Sequence, residues 1–165
     1  MTLEEFNTID RDTAVAAVRP CLDIARWGEA IVDRRPYPDL AFVLDTARVA
    51  AEPFTTAEID SALAHHPRIG ERAAGSGAEA RMSAAEQAGL GDSSAELEQA
   101  LADGNADYER RFDRVFLIRA AGRSRSEILS ELERRMAHTE DEELAVIAGQ
   151  LREIALLRLE GVIDS

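Results

Sequence analysis

Apolar residues recur at every third or fourth position along most of the chain, while the strict alternation of apolar and polar residues that marks a strand is scarce. The clearest example is the C-terminal segment, where one helical stripe is formed by Leu144, Ile147, Ala148, Leu151, Ile154, Ala155 and Val162. This pattern predicts an all-α fold of about seven to nine helices.

Helix starts are marked by four candidate capping boxes, in which a Ser or Thr and a Glu three residues later satisfy free N–H groups. These boxes begin at Thr2, Ser83, Ser124 and Thr139. Prolines separate the predicted helices, because proline lacks an N–H donor and clashes with the preceding turn. Residues 114–118 are β-branched and aromatic, which leaves two alternatives open: an extended segment or the end of a buried helix.

The composition is that of one globular domain spanning residues 1–165, with 45% hydrophobic and 31% charged residues. Acidic residues outnumber basic residues 32 to 19, which gives a formal net charge of -13. Such a field repels phosphate backbones and anionic lipids, so nucleic acid and membrane surfaces are not expected partners. We find no secretory leader and no apolar run that could span a bilayer, so a cytoplasmic location is predicted.

Two compositional features restrict the chemistry. Every basic residue apart from the histidines is arginine, so no lysine can form a Schiff base with pyridoxal phosphate or a carbonyl substrate. The one cysteine, Cys21, excludes an internal disulfide and a cysteine-rich metal site. His65 and His66 are adjacent and diverge on a helix, and His138 is expected at the surface, so no metal site is predicted.

Arg158 falls inside the apolar stripe of the C-terminal helix, between the directions of Ile147 and Leu151. A guanidinium on a core face needs a compensating anion, because an unpaired buried charge is costly. One alternative is an internal ion pair with one of the acidic residues. The other is a planar donor fork directed at a ligand carboxylate.

His66 shares a helix face with Ile59, Ala62 and Leu63 and is expected at the end of the same helix. A histidine there either packs or caps the helix, or it serves as a proton donor near neutral pH, since the helix dipole favours the protonated ring. The segment from Ser83 to Gln87 also allows two interpretations. It either only caps a helix, or the free N–H groups at the helix start hold an anionic substrate beside the carboxylate of Glu86.

Taken together, three sequence blocks resemble the signature of the OHCU decarboxylase family. They are residues 66–71 (HPRIGE), residues 83–90 (SAAEQAGL), and the set Asn105, Tyr108, Arg111 and Phe112. Residues 151–159 are similar to the closing helix of that family, so the resemblance covers nearly the whole chain. The family decarboxylates 2-oxo-4-hydroxy-4-carboxy-5-ureidoimidazoline, in the last step from urate to (S)-allantoin.

The resemblance implies an all-helical homodimeric enzyme that needs no cofactor and acts on a small anionic ureidoimidazoline. His66 would be the proton donor with Glu86 as its acidic partner, and Arg158 would be the conserved catalytic arginine. The implied substrate-binding residues are Pro67, Ser83, Ala84, Ala85, Glu86, Gln87, Ile118, Arg119, Ala120, Ala121 and Gly122. The sequence departs from the family at Asp113 and Arg114, where a glycine and an aromatic residue are expected.

Two other functions are compatible with the same sequence. Acidic, alanine-rich helices with regular caps suit a non-enzymatic helical interaction module, and a carboxylate-binding arginine also suits a related lyase acting on another ureido acid. An enzyme requires His66, Glu86 and Arg158 to converge on one concave pocket. An interaction module would instead expose an apolar groove.

Overall fold

The computed structural model describes residues 1–71, 77–91 and 94–164. Over these residues the chain forms nine α-helices and one short 3₁₀ turn, Arg19–Cys21, and no strand, so the predicted all-α fold is confirmed. The helices are α1 Leu3–Thr8, α2 Arg11–Val18, α3 Ala25–Asp33, α4 Leu40–Val49, α5 Thr56–Leu63, α6 Ala78–Ala88, α7 Ala95–Phe112, α8 Arg125–Arg135 and α9 Glu140–Val162. None of the described helices is both long and apolar enough to cross a membrane.

Three of the four predicted capping boxes are confirmed, at Thr2, Ser124 and Thr139. The fourth prediction is wrong, because α6 begins at Ala78 and Ser83 lies inside the helix, where it is 3% exposed. Residues 78–82 are Ala, Glu, Ala, Arg and Met, which all favour helix, so the N-cap is Gly77, six residues before Ser83. The spacing Ser-x-x-Glu also occurs within a helix, as neighbours on one face.

The chain divides into two compact units, one formed by Met1–Ala62 with Arg152–Ser165 and the other by Leu63–Leu151. The prediction of a single domain over residues 1–165 stays a prediction. In the first unit Trp27 on α3 is fully buried, and its indole N–H donates to the carbonyl of Ala47 on α4 at 2.9 Å. Other buried side chains of this unit are Phe6, Val18, Ile31, Val43, Ile154, Leu159 and Ile163.

The second unit is built around α7 and α8. Its core contains Ile69, Leu90, Leu101, Tyr108, Phe112, Phe116, Ile118, Ala120, Ile128 and Leu132. Gly104 lets the two helices approach closely, since a Cβ atom at this position would lie 3.0 Å from Cδ2 of Leu132. This packing places α7 beside α8.

A buried ion pair lies at the centre of this unit. Arg135, at the end of α8, donates from Nε to Oε1 of Glu143 at 2.6 Å, and both residues are 1% exposed. The hydroxyl of Tyr108 donates to the same carboxylate oxygen at 2.6 Å. The ring of Phe116 lies 4.6 Å from the guanidinium carbon of Arg135. Packed, hydrogen-bonded partners compensate both charges for their loss of water.

Residues 114–118 follow α7 with neither helical nor strand structure, so the alternative of a buried helix end is wrong. Asp113 ends α7 in the left-handed conformation, with a φ of 53°. Glycine adopts this conformation at least cost, but aspartate also tolerates it. The residue that departs from the family pattern therefore has the backbone conformation for which a glycine would be suited.

Candidate active site

His66 lies on the wall of a cleft of about 460 Å³ in the second unit. The residues that line it are Ala64, His65, His66, Pro67, Arg68, Glu71, Gly77, Glu79, Ala80 and Val115. His66 is half-buried, and its backbone N–H donates to the carbonyl of Leu63 at 3.0 Å. The cleft therefore offers a ligand access to the imidazole.

The predicted end of α5 at His66 is wrong, because the helix ends three residues earlier, at Leu63. The physical reason is Pro67, since its ring disfavours helical backbone in the residue that precedes it. Ile59, Ala62 and Leu63 are buried, as the shared helix face predicts. The His66 ring thus belongs to the segment after the helix.

The neighbouring histidine has a different environment. The side chain of His65 is 44% exposed, and its Nδ1 lies 3.7 Å from Oε2 of Glu79 on α6. Both residues line the same cleft as His66. The cleft is therefore lined by two imidazoles and by the carboxylates of Glu71 and Glu79. Of the two imidazoles, only that of His66 lies in the family block.

Arg68 connects the segment after α5 to α7. Its Nη2 donates to Oε2 of Glu109 at 2.9 Å, and its Nε donates to Oε1 of the same carboxylate. This fork raises the pKa of Arg68 and lowers that of Glu109, because each charge stabilises the other. Arg68 also contacts Glu71 on its own segment, with 3.4 Å between Nη1 and Oε2.

Gln87 on α6 binds the backbone of the same segment. Its Oε1 accepts the N–H of Gly70 at 3.0 Å, and its Nε2 donates to the carbonyl of Glu71 at 3.3 Å. Gly70 has a φ of 90°, a conformation for which glycine is suited. The family resemblance assigns the side-chain amide of Gln87 to the substrate, but here both its oxygen and its nitrogen bind the backbone of this segment.

The predicted substrate-binding residues 83–87 divide between two faces of α6. Ser83, Glu86 and Gln87 are buried or half-buried, whereas Ala84 and Ala85 are exposed. The idea that helix-start N–H groups near Ser83 hold the substrate is wrong, because α6 starts at Ala78. Ser83, Glu86 and Gln87 therefore form the inward face of α6, which faces the interior of this unit.

The predicted substrate loop of residues 118–122 is held from α9. Ile118 and Ala120 are buried, and the N–H of Arg119 donates to Oε1 of Gln150 at 2.8 Å. Just before the loop, the carbonyl of Leu117 accepts from Nη1 of Arg135 at 2.7 Å. Within the described ranges, neither Glu86 nor any residue of this loop lines the cleft at His66.

Arg158 lies in the first unit, where it is 5% exposed between buried Ala155 and Leu159. Its Nη1 donates to the carbonyl of Pro20 at 3.3 Å. The prediction that the apolar stripe of α9 buries a guanidinium is confirmed. His66 and Glu86 belong to the other unit, and their convergence with Arg158 stays a prediction.

A protein-family model described as OHCU decarboxylase matches residues 7–160. The chain belongs to the OHCU decarboxylase family. Membership makes it a carboxy-lyase of urate degradation, as the resemblance of its three sequence blocks implies. A curated protein of Haloferax volcanii, named 2-oxo-4-hydroxy-4-carboxy-5-ureidoimidazoline decarboxylase, is 29% identical over 161 residues, which are 96% of this chain and 94% of that protein.

Two solved structures share the fold. An OHCU decarboxylase crystallised in the presence of (S)-allantoin has a TM-score of 0.67 and 24% identity, over 87% of this chain and 94% of that one. An (S)-allantoin synthase has a TM-score of 0.72 and 17% identity, over 100% of this chain and 54% of that one. Both likenesses show that the chain shares this three-dimensional fold.

The remaining histidine, predicted at the surface, is partly exposed there, with 22% of its side chain accessible. His138 is half-buried, with its Nδ1 3.0 Å from Oε2 of Glu143, and it extends the buried ion pair toward solvent. The sequence could not predict Glu143 as the partner of His138, because Glu143 is one of four consecutive acidic residues at the start of α9. Within residues 1–71, 77–91 and 94–164, no three His, Cys, Asp or Glu side chains form a group that could hold a metal ion.

Proposed function

We propose that the enzyme converts 2-oxo-4-hydroxy-4-carboxy-5-ureidoimidazoline to (S)-allantoin by decarboxylation followed by protonation from one face. The observation that carries this proposal is the match of the OHCU decarboxylase family model to residues 7–160. The cleft at His66 supports it, because it presents an imidazole to a small ligand.

The chemistry of the substrate explains what the protein must supply. When the bond to the carboxylate carbon breaks and CO₂ leaves, its electron pair forms a C=C bond with the ureido-bearing carbon, and the pair of the adjacent C=N bond moves to nitrogen, which takes up a proton. The substrate is thus its own electron sink. The hydroxyl-bearing carbon becomes a carbonyl, and a proton is added at the ureido-bearing carbon. Free in water, this planar carbon is protonated from both faces. The enzyme contributes positioning and one-sided proton delivery.

His66 and Glu86 are assigned to proton transfer. His66 delivers the proton to the ureido-bearing carbon, and Glu86 accepts the hydroxyl proton or holds the imidazole in its donating form. The half-buried position of His66 on a cleft wall suits this role, since histidine changes charge near neutral pH. Glu86 is half-buried on the inward face of α6, next to the Gln87 that binds the segment after His66.

Arg158 is assigned to the substrate carboxylate. A guanidinium that is 5% exposed has lost most of its water, which strengthens its interaction with an anion. Pro67, the inward residues of 83–87 and the loop 118–122 complete the substrate contacts in this proposal. Together with Arg158, Arg119 of this loop gives a small anion local positive charge in a chain whose net charge is -13.

The proposed reaction is tested by following optical activity during urate breakdown by a uricase and a 5-hydroxyisourate hydrolase. Adding the chain is expected to speed the appearance of allantoin and to make it dextrorotatory. A heat-denatured sample of the same chain is the control. Racemic allantoin formed at the same rate with and without the chain would contradict the proposal.

Arg158→Leu is expected to lower kcat/KM by about 10- to 100-fold, because hydrogen bonds to a charged group contribute about 1.5–3 kcal/mol. The fold should persist, since a buried charge can often be replaced by an apolar side chain. The matched control is Arg152→Leu, which removes a half-buried guanidinium six residues earlier on α9 that contacts Phe54 and the carbonyl of Ala50. An unchanged kcat/KM in Arg158→Leu would contradict the assignment and leave Arg158 with a structural role only.

A homodimer and a cytoplasmic location complete the proposal. The homodimer is supported by exposed apolar side chains in the first unit, Phe42 and Val49 on one face of α4 and Leu157 on α9. The cytoplasmic location is supported by the strongly acidic, disulfide-free composition. Light scattering of the purified enzyme tests the assembly, and a monomeric mass would contradict it.

A further inference from the structure

Residues 66–71 follow a helix without forming one themselves, yet side chains of α6 and α7 hold them at several points. Chain segments of this kind are usually the mobile parts of a protein. A group that delivers a proton must stay within about 0.5 Å of its working position. The contacts around residues 66–71 are therefore candidates for fixing the place of His66.

The strongest of these contacts is the fork between Arg68 and Glu109. Two parallel hydrogen bonds between a guanidinium and a carboxylate fix orientation as well as distance. Arg68 is two residues from His66, and Pro67 between them restricts the backbone on both of its sides. A carboxylate on α7 thus constrains the backbone that carries the imidazole.

Asn105 supports the same segment one turn earlier on α7. Its Nδ2 donates to the carbonyl of Ile69 at 3.3 Å. The residue is 4% exposed and its Oδ1 is buried without a hydrogen-bond partner, an arrangement that costs about 1–3 kcal/mol. An apolar side chain would avoid this cost but would leave the Ile69 carbonyl without its donor. The cost is consistent with a role for Asn105 in holding the segment.

We propose that Glu109 is a positioning residue, which acts through Arg68 to hold His66 in place for proton delivery. This inference rests on the proposed function, because the placement of His66 affects turnover only if His66 transfers the proton. Glu71 makes the role specific, since it is a competing carboxylate 3.4 Å from Arg68 on the same segment. Without the charge of Glu109, Arg68 turns to Glu71 and the segment loses its charged tie to α7, which leaves the hydrogen bond from Asn105.

The test is Glu109→Gln, which keeps the size of the side chain and removes its charge. We expect kcat to fall about 10- to 100-fold, because small misplacements of a reacting group have effects of this order. KM should stay within about twofold and the unfolding midpoint should not move, since a partly exposed ion pair adds little stability. Glu109→Asp, which keeps the carboxylate, should recover part of the lost kcat.

The matched control is Glu131→Gln. Glu131 is 33% exposed and pairs with Arg134 on α8, while Glu109 is 26% exposed, so both variants break a similar ion pair in the same unit. Of these two carboxylates, only Glu109 binds the segment that carries His66. The control should keep the kcat of the parent enzyme.

A second readout does not depend on turnover. The chain has 3 histidines, so the imidazole NMR signals of His66 can be followed individually. They should move in Glu109→Gln and stay in place in Glu131→Gln. If the parent enzyme is active, the inference is overturned when Glu109→Gln keeps the parental kcat and its His66 signals do not move. It is also overturned when the variant loses kcat only because it loses stability. A parent without decarboxylase activity would instead reject the proposed function.

Discussion

His66→Asn is expected to lower kcat by about 10²- to 10⁴-fold, the usual contribution of a general acid or base. Asparagine keeps a polar side chain in the cleft but cannot deliver a proton near neutral pH. The fold should survive, because His66 lies on a cleft wall beyond the end of α5 and is only half-buried. The measurement is the rate of allantoin formation, with the unfolding midpoint as the test of folding.

The handedness of the product gives a sharper criterion than the rate. If His66 delivers the proton, the residual allantoin made by His66→Asn should lose its excess of the S form. His65→Asn is the matched control, since it changes the adjacent imidazole in the same cleft and should leave rate and handedness unchanged. A folded His66→Asn variant with parental kcat would remove His66 from the mechanism.

Glu143→Leu is expected to destabilise the protein by about 3–5 kcal/mol, because it leaves the buried guanidinium of Arg135 without its carboxylate. The hydroxyl of Tyr108 loses its acceptor in the same change. Urea unfolding of the variant and the parent gives the difference directly. In the double variant Arg135→Met with Glu143→Leu, most of the loss should be recovered, since neither charge remains buried.

The same carboxylate makes stability depend on pH. Burial raises the pKa of Glu143, but hydrogen bonds from Arg135 and Tyr108 outweigh burial, and the pKa lies below its usual value of 4.5. A lowered pKa means that the pair stabilises the fold above pH 4.5 and that this contribution is lost as the pH falls through the folded-state value. Glu143→Leu should therefore narrow the stability difference between neutral and acidic solution. A parental pH dependence would contradict this assignment.

Local signals predicted three of the four proposed capping boxes correctly. Capping boxes at Thr2, Ser124 and Thr139 mark real helix starts because the interaction involves only residues three apart. The box at Ser83 failed for the same reason: its spacing also fits the interior of a helix, and nothing within that short stretch shows that α6 begins at Ala78. Pro67 could have placed the end of α5 earlier, since it acts on the residue before it.

The anchors of the candidate site could not be predicted, because their partners are far apart in sequence. Arg68 and Glu109 are 41 residues apart, and no periodicity connects them. Arg158 was identified because it interrupts an apolar stripe. Arg135 is just as buried, but it ends a polar helix, where a basic residue is expected to face solvent and favour the helix dipole.

Trp27 has a practical consequence for measurements on this enzyme. It is the only tryptophan of the chain and lies fully buried in the first unit, so its fluorescence reports the opening of that unit and no other part. Near-ultraviolet signals lack this selectivity, because Tyr108 of the second unit contributes together with Tyr37 and Trp27 of the first. The opening of the first unit can therefore be followed by its intrinsic fluorescence, without attaching any dye.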